Sequence, residues 1–186
     1  MNDRTFRPIA LSNPFRRWFA PPRRDIDRLS PQPGDRVTDL GAGVGYYAEE
    51  VLARIGASGH LTLVDINGPN LARFARRHGP DPRLGVLVGS AAAVPQIPSE
   101  SQHRVLLANV LCDVVDKTGV LDETWRILRP GGTVFASFHW NDSPSPSRPL
   151  RMTAEKWTAL KARHSWEEVG QGHGRGIHWH ILRKAS

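Results

Sequence analysis

The chain has 186 residues, a length suited to one domain with a single substantial core. Apolar residues at 39% and charged residues at 23% are the proportions of an ordinary soluble globular protein. One cysteine excludes an internal disulfide framework, no apolar run reaches membrane-spanning length, and the formal charge of +7 suits an acidic partner or plain solubility.

The positive surplus is confined to the two ends. Residues 1–34 carry 7 Lys and Arg against 3 Asp and Glu, residues 35–140 carry 10 against 11, and residues 141–186 carry 8 against 4. Residues 1–21 read as a basic, aromatic arm ahead of a single domain over 22–186. Asn13-Pro14-Phe15-Arg16-Arg17-Trp18-Phe19 mixes rings with guanidinium groups, a composition that packs on its own core, on an apolar surface or at a membrane interface. The apolar stretch 8–11 is too short for a signal-peptide core, and Arg16 and Arg17 follow it. With the lone cysteine, this gives a cytoplasmic location as the expectation.

The elements then follow in order. Arg23–Leu29 is a short helix ended by Ser30-Pro31, and Gly34-Asp35 turns into a strand over Arg36–Leu40. A helix from about Tyr46 to Ile55 precedes a strand over His60–Asp65. The next helix, from about Pro69 to His78, breaks at Gly79-Pro80-Asp81-Pro82. Leu84–Val88 reads as a buried apolar strand, Val105–Asn109 as the next strand, Gly119–Leu128 as a helix and Thr133–Phe138 as the last central strand. Asn141–Ser147 is a polar loop, and Thr153–Arg163 a helix with Thr153 as its N-cap. Two β-like runs, Ser165–Val169 and Ile177–Leu182, flank a turn over 170–176. Strands and helices alternating at these lengths predict an α/β fold, a Rossmann-like doubly wound and mostly parallel sheet with both faces covered.

The informative stretch is Val-Thr-Asp-Leu-Gly-Ala-Gly-Val-Gly at 37–45, followed by Leu-Thr-Leu-Val-Asp at 61–65. Strand, glycine turn, helix, strand and terminal acid build a nucleoside pocket at the carboxyl ends of a sheet. A dinucleotide fingerprint wants G-x-G-x-x-G, yet here Tyr46 stands where the last glycine belongs, and the Asp39 carboxylate would repel a pyrophosphate. A nucleoside with a cationic amino-acid tail fits better, and S-adenosylmethionine is such a ligand.

With DLGAGVG at 39–45, VDIN at 64–67, GSAAAVP at 89–95, and LLANVLCD at 106–113 leading to LRPGG at 128–132, the chain resembles the class I S-adenosylmethionine-dependent methyltransferases, of the small ubiquinone/menaquinone-methyltransferase-like type. The likeness covers roughly residues 22–140 well and the C-terminal part loosely. It implies a seven-stranded sheet finished by a C-terminal antiparallel hairpin. It also implies Asp39 on the methionine ammonium, with Gly41, Gly43 and Gly45 letting the backbone approach the ligand. Asp65 accepts the ribose hydroxyls and Ile66 presses on the adenine. Ser90 replaces the usual acid beside the adenine amino group, and the Ala91 N–H meets the ring. Asn109, with Val110, Leu111 and Cys112, lines the cavity by the sulfonium.

On the acceptor side the resemblance puts Asp113, which orients an acceptor or caps the following helix. His139 is the candidate general base, and surface packing is its other reading. His173, His178 and His180 match no zinc spacing and are assigned to the hairpin surface, so no metal site is expected. The expected activity is in-line methyl transfer to a small-molecule or lipid-like acceptor, anionic if the basic ends meet it, with S-adenosylhomocysteine as the other product. The absence of an Asn-Pro-Pro-Tyr motif at 109–112 disfavours a nucleic-acid acceptor. Two alternatives stay open: a cofactor-binding or RNA-associated module without turnover, and a nicotinamide-dependent oxidoreductase.

Overall fold

The computed structural model describes residues 21–139, 152–174 and 176–186. The arm and the Asn141–Ser147 loop lie outside these residues, apart from Ala20's neighbour Pro21. In chain order the elements are α1 (Pro22–Leu29), β1 (Arg36–Leu40), α2 (Ala48–Ile55), β2 (His60–Asp65), α3 (Gly68–His78), β3 (Leu84–Val88), β4 (Gln102–Ala108), α4 (Lys117–Ile127), β5 (Leu128–His139), α5 (Ala154–Lys161), β6 (Trp166–Gly174) and β7 (Ile177–Lys184).

The seven strands form one sheet in the order β3-β2-β1-β4-β5-β7-β6. The first five are parallel, and β7 and β6 close the sheet as an antiparallel hairpin. The expected α/β, doubly wound, mostly parallel fold is therefore what the chain forms. The order reverses between β1 and β4, and a crevice outside the carboxyl ends of these strands is where such sheets bind ligands.

Two apolar layers sandwich the sheet. One joins Val37, Leu61, Leu63, Leu106 and Phe135 to Ile26, Leu29, Val51, Ile55 and Phe74 from α1, α2 and α3. The other joins Leu40, Val64, Val105, Leu107, Val134 and Phe138 to Val120, Leu121, Trp157 and Leu160 from α4 and α5. Neighbouring residues of each central strand thus serve opposite cores, which is why these strands read as unbroken apolar runs.

β1, β2 and β3 have the predicted bounds, but β3 is not a buried strand. It is the sheet edge, and Val86 and Val88 are exposed. β4 lies three residues earlier than predicted at its start and ends at Ala108, which leaves Asn109 outside the strand. α4 begins at Lys117, and its N-cap is Asp116, whose carboxylate accepts from the Gly119 N–H at 2.7 Å. Asp113 therefore does not cap this helix. The hairpin is longer than predicted, since β6 runs through residues 170–174 and the turn shrinks to its tip.

Candidate active site

β1 ends at Leu40, and the chain turns back through Gly41, Gly43 and Gly45, all at positive φ. The Gly41 and Ala42 N–H groups both donate to the Val64 carbonyl, at 2.7 and 3.0 Å, which draws the loop against the tip of β2. The glycines at 41 and 45 are also required by space. A Cβ on Gly41 would stand 2.5 Å from the Val110 side chain, and one on Gly45 2.4 Å from the Phe74 ring.

Two acids flank this loop. Asp65 is held by backbone donors, the Gly43 N–H at 2.8 Å on one oxygen and the Asn67 N–H at 2.7 Å on the other. Each oxygen keeps a further lone pair for a ligand hydroxyl. Helix capping falls to Asn67, whose side chain accepts from the Asn70 N–H, so Asp65 is not needed as a cap.

Asp39 is 2% exposed, and its Oδ2 has no partner among the described residues. Burial, and then the charge of Asp65, push its carboxyl up to about 7. A buried carboxylate without a counter-charge is costly, and a cation seated beside it would remove that cost.

Across the switch point, Asn109 adopts a left-handed backbone with φ 60°, tied by its N–H to the Ser137 carbonyl at 2.7 Å. Asn tolerates this conformation better than most residues. Its Oδ1 is buried and has no partner among the described residues, while its carbonyl accepts from the Cys112 thiol at 3.2 Å. Cys112 also lies 3.7 Å from the Asp113 carboxylate. Burial and that charge push the thiol up to about 12, which does not suit a nucleophile. The His139 backbone N–H reaches the same sulfur. Asn109, Cys112, Asp113 and the end of β5 are thereby gathered at one rim. The His139 ring is exposed; its Nδ1 donates to the Gly176 carbonyl of the hairpin at 3.2 Å, which leaves Nε2 as the acceptor.

The residues present fit S-adenosylmethionine on three independent observations: the orphaned buried carboxylate of Asp39, a glycine loop with no room for side chains, and an acid at the tip of β2. Ser90 and Ala91 follow β3, whose last residue Val88 pairs with Asp65 on the outer side of the sheet, and Ile66, the residue after Asp65, is exposed.

Sequence reasoning misplaced one histidine. His180 is 6% exposed and not on the hairpin surface. It stacks on Phe138, tilts against Trp157 and meets Glu168 through Nδ1 at 2.5 Å. His173 and His178 do stack on each other in the hairpin. Residues 178 and 180 share one strand face, as their spacing predicts, but at His180 that face is covered by Trp157 of α5. The signal was available in Trp157 and Leu160, the apolar face of the preceding helix. Among the described residues no group of His, Cys, Asp and Glu is placed to hold a metal ion.

A switch-point crevice with this loop and these acids defines a nucleoside-binding α/β protein that prefers a cationic ligand. Residues 38–136 match the family model described as a methyltransferase domain. The ubiquinone biosynthesis O-methyltransferase of Xanthomonas oryzae pv. oryzae is 32% identical over 133 residues, 70% of this chain and 52% of that protein. The ubiquinone/menaquinone biosynthesis C-methyltransferase of Bordetella parapertussis is 36% identical over 110 residues, 58% of this chain and 42% of its own length. A SAM-dependent methyltransferase from Aquifex aeolicus has the same fold, with a TM-score of 0.81 at 15% identity over 96% of this chain and 99% of that one. The chain belongs to the class I S-adenosylmethionine-dependent methyltransferase family. It spans about half the length of the curated relatives it matches.

Proposed function

We propose that this chain transfers a methyl group from S-adenosylmethionine to a small, lipid-like acceptor of the quinone type. The observation that carries the reading is the buried, unpartnered Asp39 carboxylate behind the glycine loop, with Asp65 at the next strand tip. A nicotinamide dinucleotide would bring a pyrophosphate to this carboxylate, which disfavours the oxidoreductase alternative. The names of the O- and C-methyltransferase relatives support the acceptor class.

The bound cofactor supplies an already activated methyl group, so the protein's tasks are alignment and exclusion of water. Asp39 neutralises the ammonium of the methionine tail, and Asp65 accepts the ribose hydroxyls. Gly41, Gly43 and Gly45 admit the ligand to backbone distance. Ile66 covers the adenine, with Ser90 and Ala91 at its edge, and Asn109 presents Oδ1 to the methionine portion. For an acceptor that must lose a proton, His139 Nε2 serves as base, with Asp113 orienting the acceptor. The Nδ1 contact to Gly176 sets the required tautomer. The arm, residues 1–21, holds Phe15, Arg16, Arg17, Trp18 and Phe19, a composition that suits the acceptor. Its arginines suit an anionic group, and peripheral contact with a membrane suits the same composition. No helix among the described residues is long and apolar enough to cross a membrane.

Calorimetry with S-adenosylmethionine, S-adenosylhomocysteine and NAD tests the reading. The first two bind and NAD does not; tight NAD binding without the others overturns it. Asp65→Ala weakens the cofactor at least about tenfold, from the loss of hydrogen bonds to a charged group. Unchanged affinity in a folded variant removes Asp65 from the site.

A further inference from the structure

We infer that this site accepts the purine of its cofactor with little discrimination at the 6-amino group, and that Ser90, a neutral residue there, sets this tolerance. The inference rests on the cofactor reading above and concerns only its base end.

The ribose-binding acid, Asp65, stands at the tip of β2. In the strand order β3-β2-β1-β4 the methionine end of the ligand lies inward, over β1 and β4, so the base extends outward over β3. The register pairs Asp65 with Val88, the last residue of β3. There the surface is apolar and open: Ile66 is 41% exposed and Val88 65% exposed. A flat heterocycle laid on these two side chains would cover apolar surface that nothing else on the described chain covers.

Beyond Val88 the chain makes a tight turn over residues 90–93, and its hydrogen bonds determine what the base edge meets. The Ser90 carbonyl accepts from the Ala93 N–H at 3.1 Å, and Ser90 Oγ accepts from the Ala92 N–H at 3.2 Å. Neither bond leaves the turn. The Ala91 N–H, in contrast, has no partner among the described residues, although Ala91 is buried. The turn therefore offers one free backbone donor, and on the acceptor side a neutral hydroxyl oxygen that already takes one of its two bonds from Ala92. A donor reads a ring nitrogen such as purine N1. The 6-amino group is itself a donor and needs an acceptor; this turn holds out no carboxylate, only the remaining lone pair of a neutral hydroxyl, which discriminates weakly.

Among the described residues no carboxylate takes over. Between Ile66 and Pro98 the one acid is Asp81, bound by Arg83 at the amino end of β3. Glu123 reaches this loop but is bound by the Val94 N–H and Arg126. Asp116 lies past Ala92, both being neighbours of Gly119, and it caps α4. A site that binds a group through a dedicated partner rejects the analogue lacking that group; a site without the partner does not.

The test is calorimetry on the full chain with S-adenosylhomocysteine and with its purine analogue, in which hydrogen replaces the 6-amino group and N1 remains an acceptor. The wild type binds the two within about threefold of each other. Ser90→Asp, which supplies an acceptor, tightens S-adenosylhomocysteine about tenfold or more and leaves the purine analogue unchanged, the gain expected of a charge-assisted hydrogen bond. A wild type that binds the analogue more than tenfold worse overturns the inference while the cofactor reading stands. If Asp116→Asn abolishes that discrimination, Asp116 is the acceptor. Failure of the wild type to bind S-adenosylhomocysteine at all removes the cofactor reading and this inference with it. The wild-type comparison decides the matter even if Ser90→Asp does not fold. A folded Ser90→Asp that treats both ligands alike shows that the amino group lies elsewhere.

Discussion

Asp39 and Asp65 face one another across the glycine loop, and they are held in opposite ways. Asp65 takes two backbone hydrogen bonds; Asp39 is buried with an oxygen that has none, and the charge of its neighbour adds to the cost of ionising it. The pair is tense without a cation and relaxed with one, which is a physical reason for the site to select a ligand with an ammonium group.

The first prediction follows from the sign of that tension. The Asp39 carboxyl titrates at about 7 in the fold, above its ordinary 3.8. The folded state therefore binds the extra proton between those values, and the protein without ligand loses stability as pH rises from 3.8 towards 7. A ligand ammonium favours the ionised form, so S-adenosylhomocysteine affinity rises with pH up to about 7 and binding near pH 6.5 releases a proton. Calorimetry in buffers of different ionisation enthalpy reads the proton directly. Asp39→Asn abolishes the release, weakens binding at least about tenfold, and stabilises the ligand-free protein at pH 8 by on the order of 1–3 kcal/mol. Proton release that persists in Asp39→Asn excludes this carboxyl as its source.

The second concerns Gly45, where a positive φ of 71° coincides with a Phe74 ring 2.4 Å from any added Cβ. Gly45→Ala costs about 2–4 kcal/mol, combining an unfavourable backbone conformation with overpacking against a fully buried ring. Phe74→Leu in the same chain restores part of that loss by making room. Urea unfolding of the single and double variants checks it, and strictly additive losses would show that the two residues do not meet.

His180 gives the third. Burial lowers its pKa below the ordinary 6.5 despite the Glu168 contact on Nδ1. A histidine held neutral in the fold contributes stability that is present above 6.5 and is lost as pH falls below it. His180→Phe keeps the stacked ring beside Phe138 and removes the titration. The stability of the wild type relative to this variant therefore declines between pH 7 and pH 5, whatever other groups contribute to both. A difference that is flat across that interval would mean that His180 does not resist protonation.

The glycine loop and the two acids proposed for the cofactor stand together in the sequence because this part of the fold is local. Asp39, Gly41, Gly43 and Gly45 are consecutive along a single strand and turn, and Asp65 ends the next strand. The buried strands announced themselves as apolar runs. β3 has that same composition and is an edge, since a run such as Leu84–Val88 carries no mark of whether a second neighbour will pair with it. Asn109 was named for its position, but its left-handed backbone and open Oδ1 depend on Ser137, in a different strand. His180 was misread because its burial is decided by α5, folded over it from earlier in the chain. A long-range contact of this kind leaves no mark around the histidine itself; its signal lies in the partner helix, at Trp157 and Leu160.

Lys184 is the strongest case of such a contact, and it carries the last prediction. It stands at the end of β7, two residues from the C-terminus and past the predicted strand, where a lysine reads as solvated tail. Its side chain is 7% exposed. The ammonium donates to the carbonyls of Leu128 at 2.9 Å and Trp125 at 3.0 Å and to Glu100 at 3.1 Å, and it lies over the Trp125 ring. All three of its donors are thereby used at the carboxyl end of α4, where the helix leaves carbonyls unsatisfied and its dipole favours a cation. Lys184→Met retains much of the apolar stem and leaves those carbonyls without a donor, at a cost of about 2–4 kcal/mol. Because β7 runs antiparallel to β5, this end of the sheet is opposite the glycine loop. Urea unfolding of Lys184→Met will show the loss, while calorimetry shows S-adenosylhomocysteine affinity within about twofold of wild type in the fraction that remains folded. A loss below about 1 kcal/mol would mean that water replaces the ammonium at little cost and that the buried lysine is not what fastens the C-terminal strand to α4.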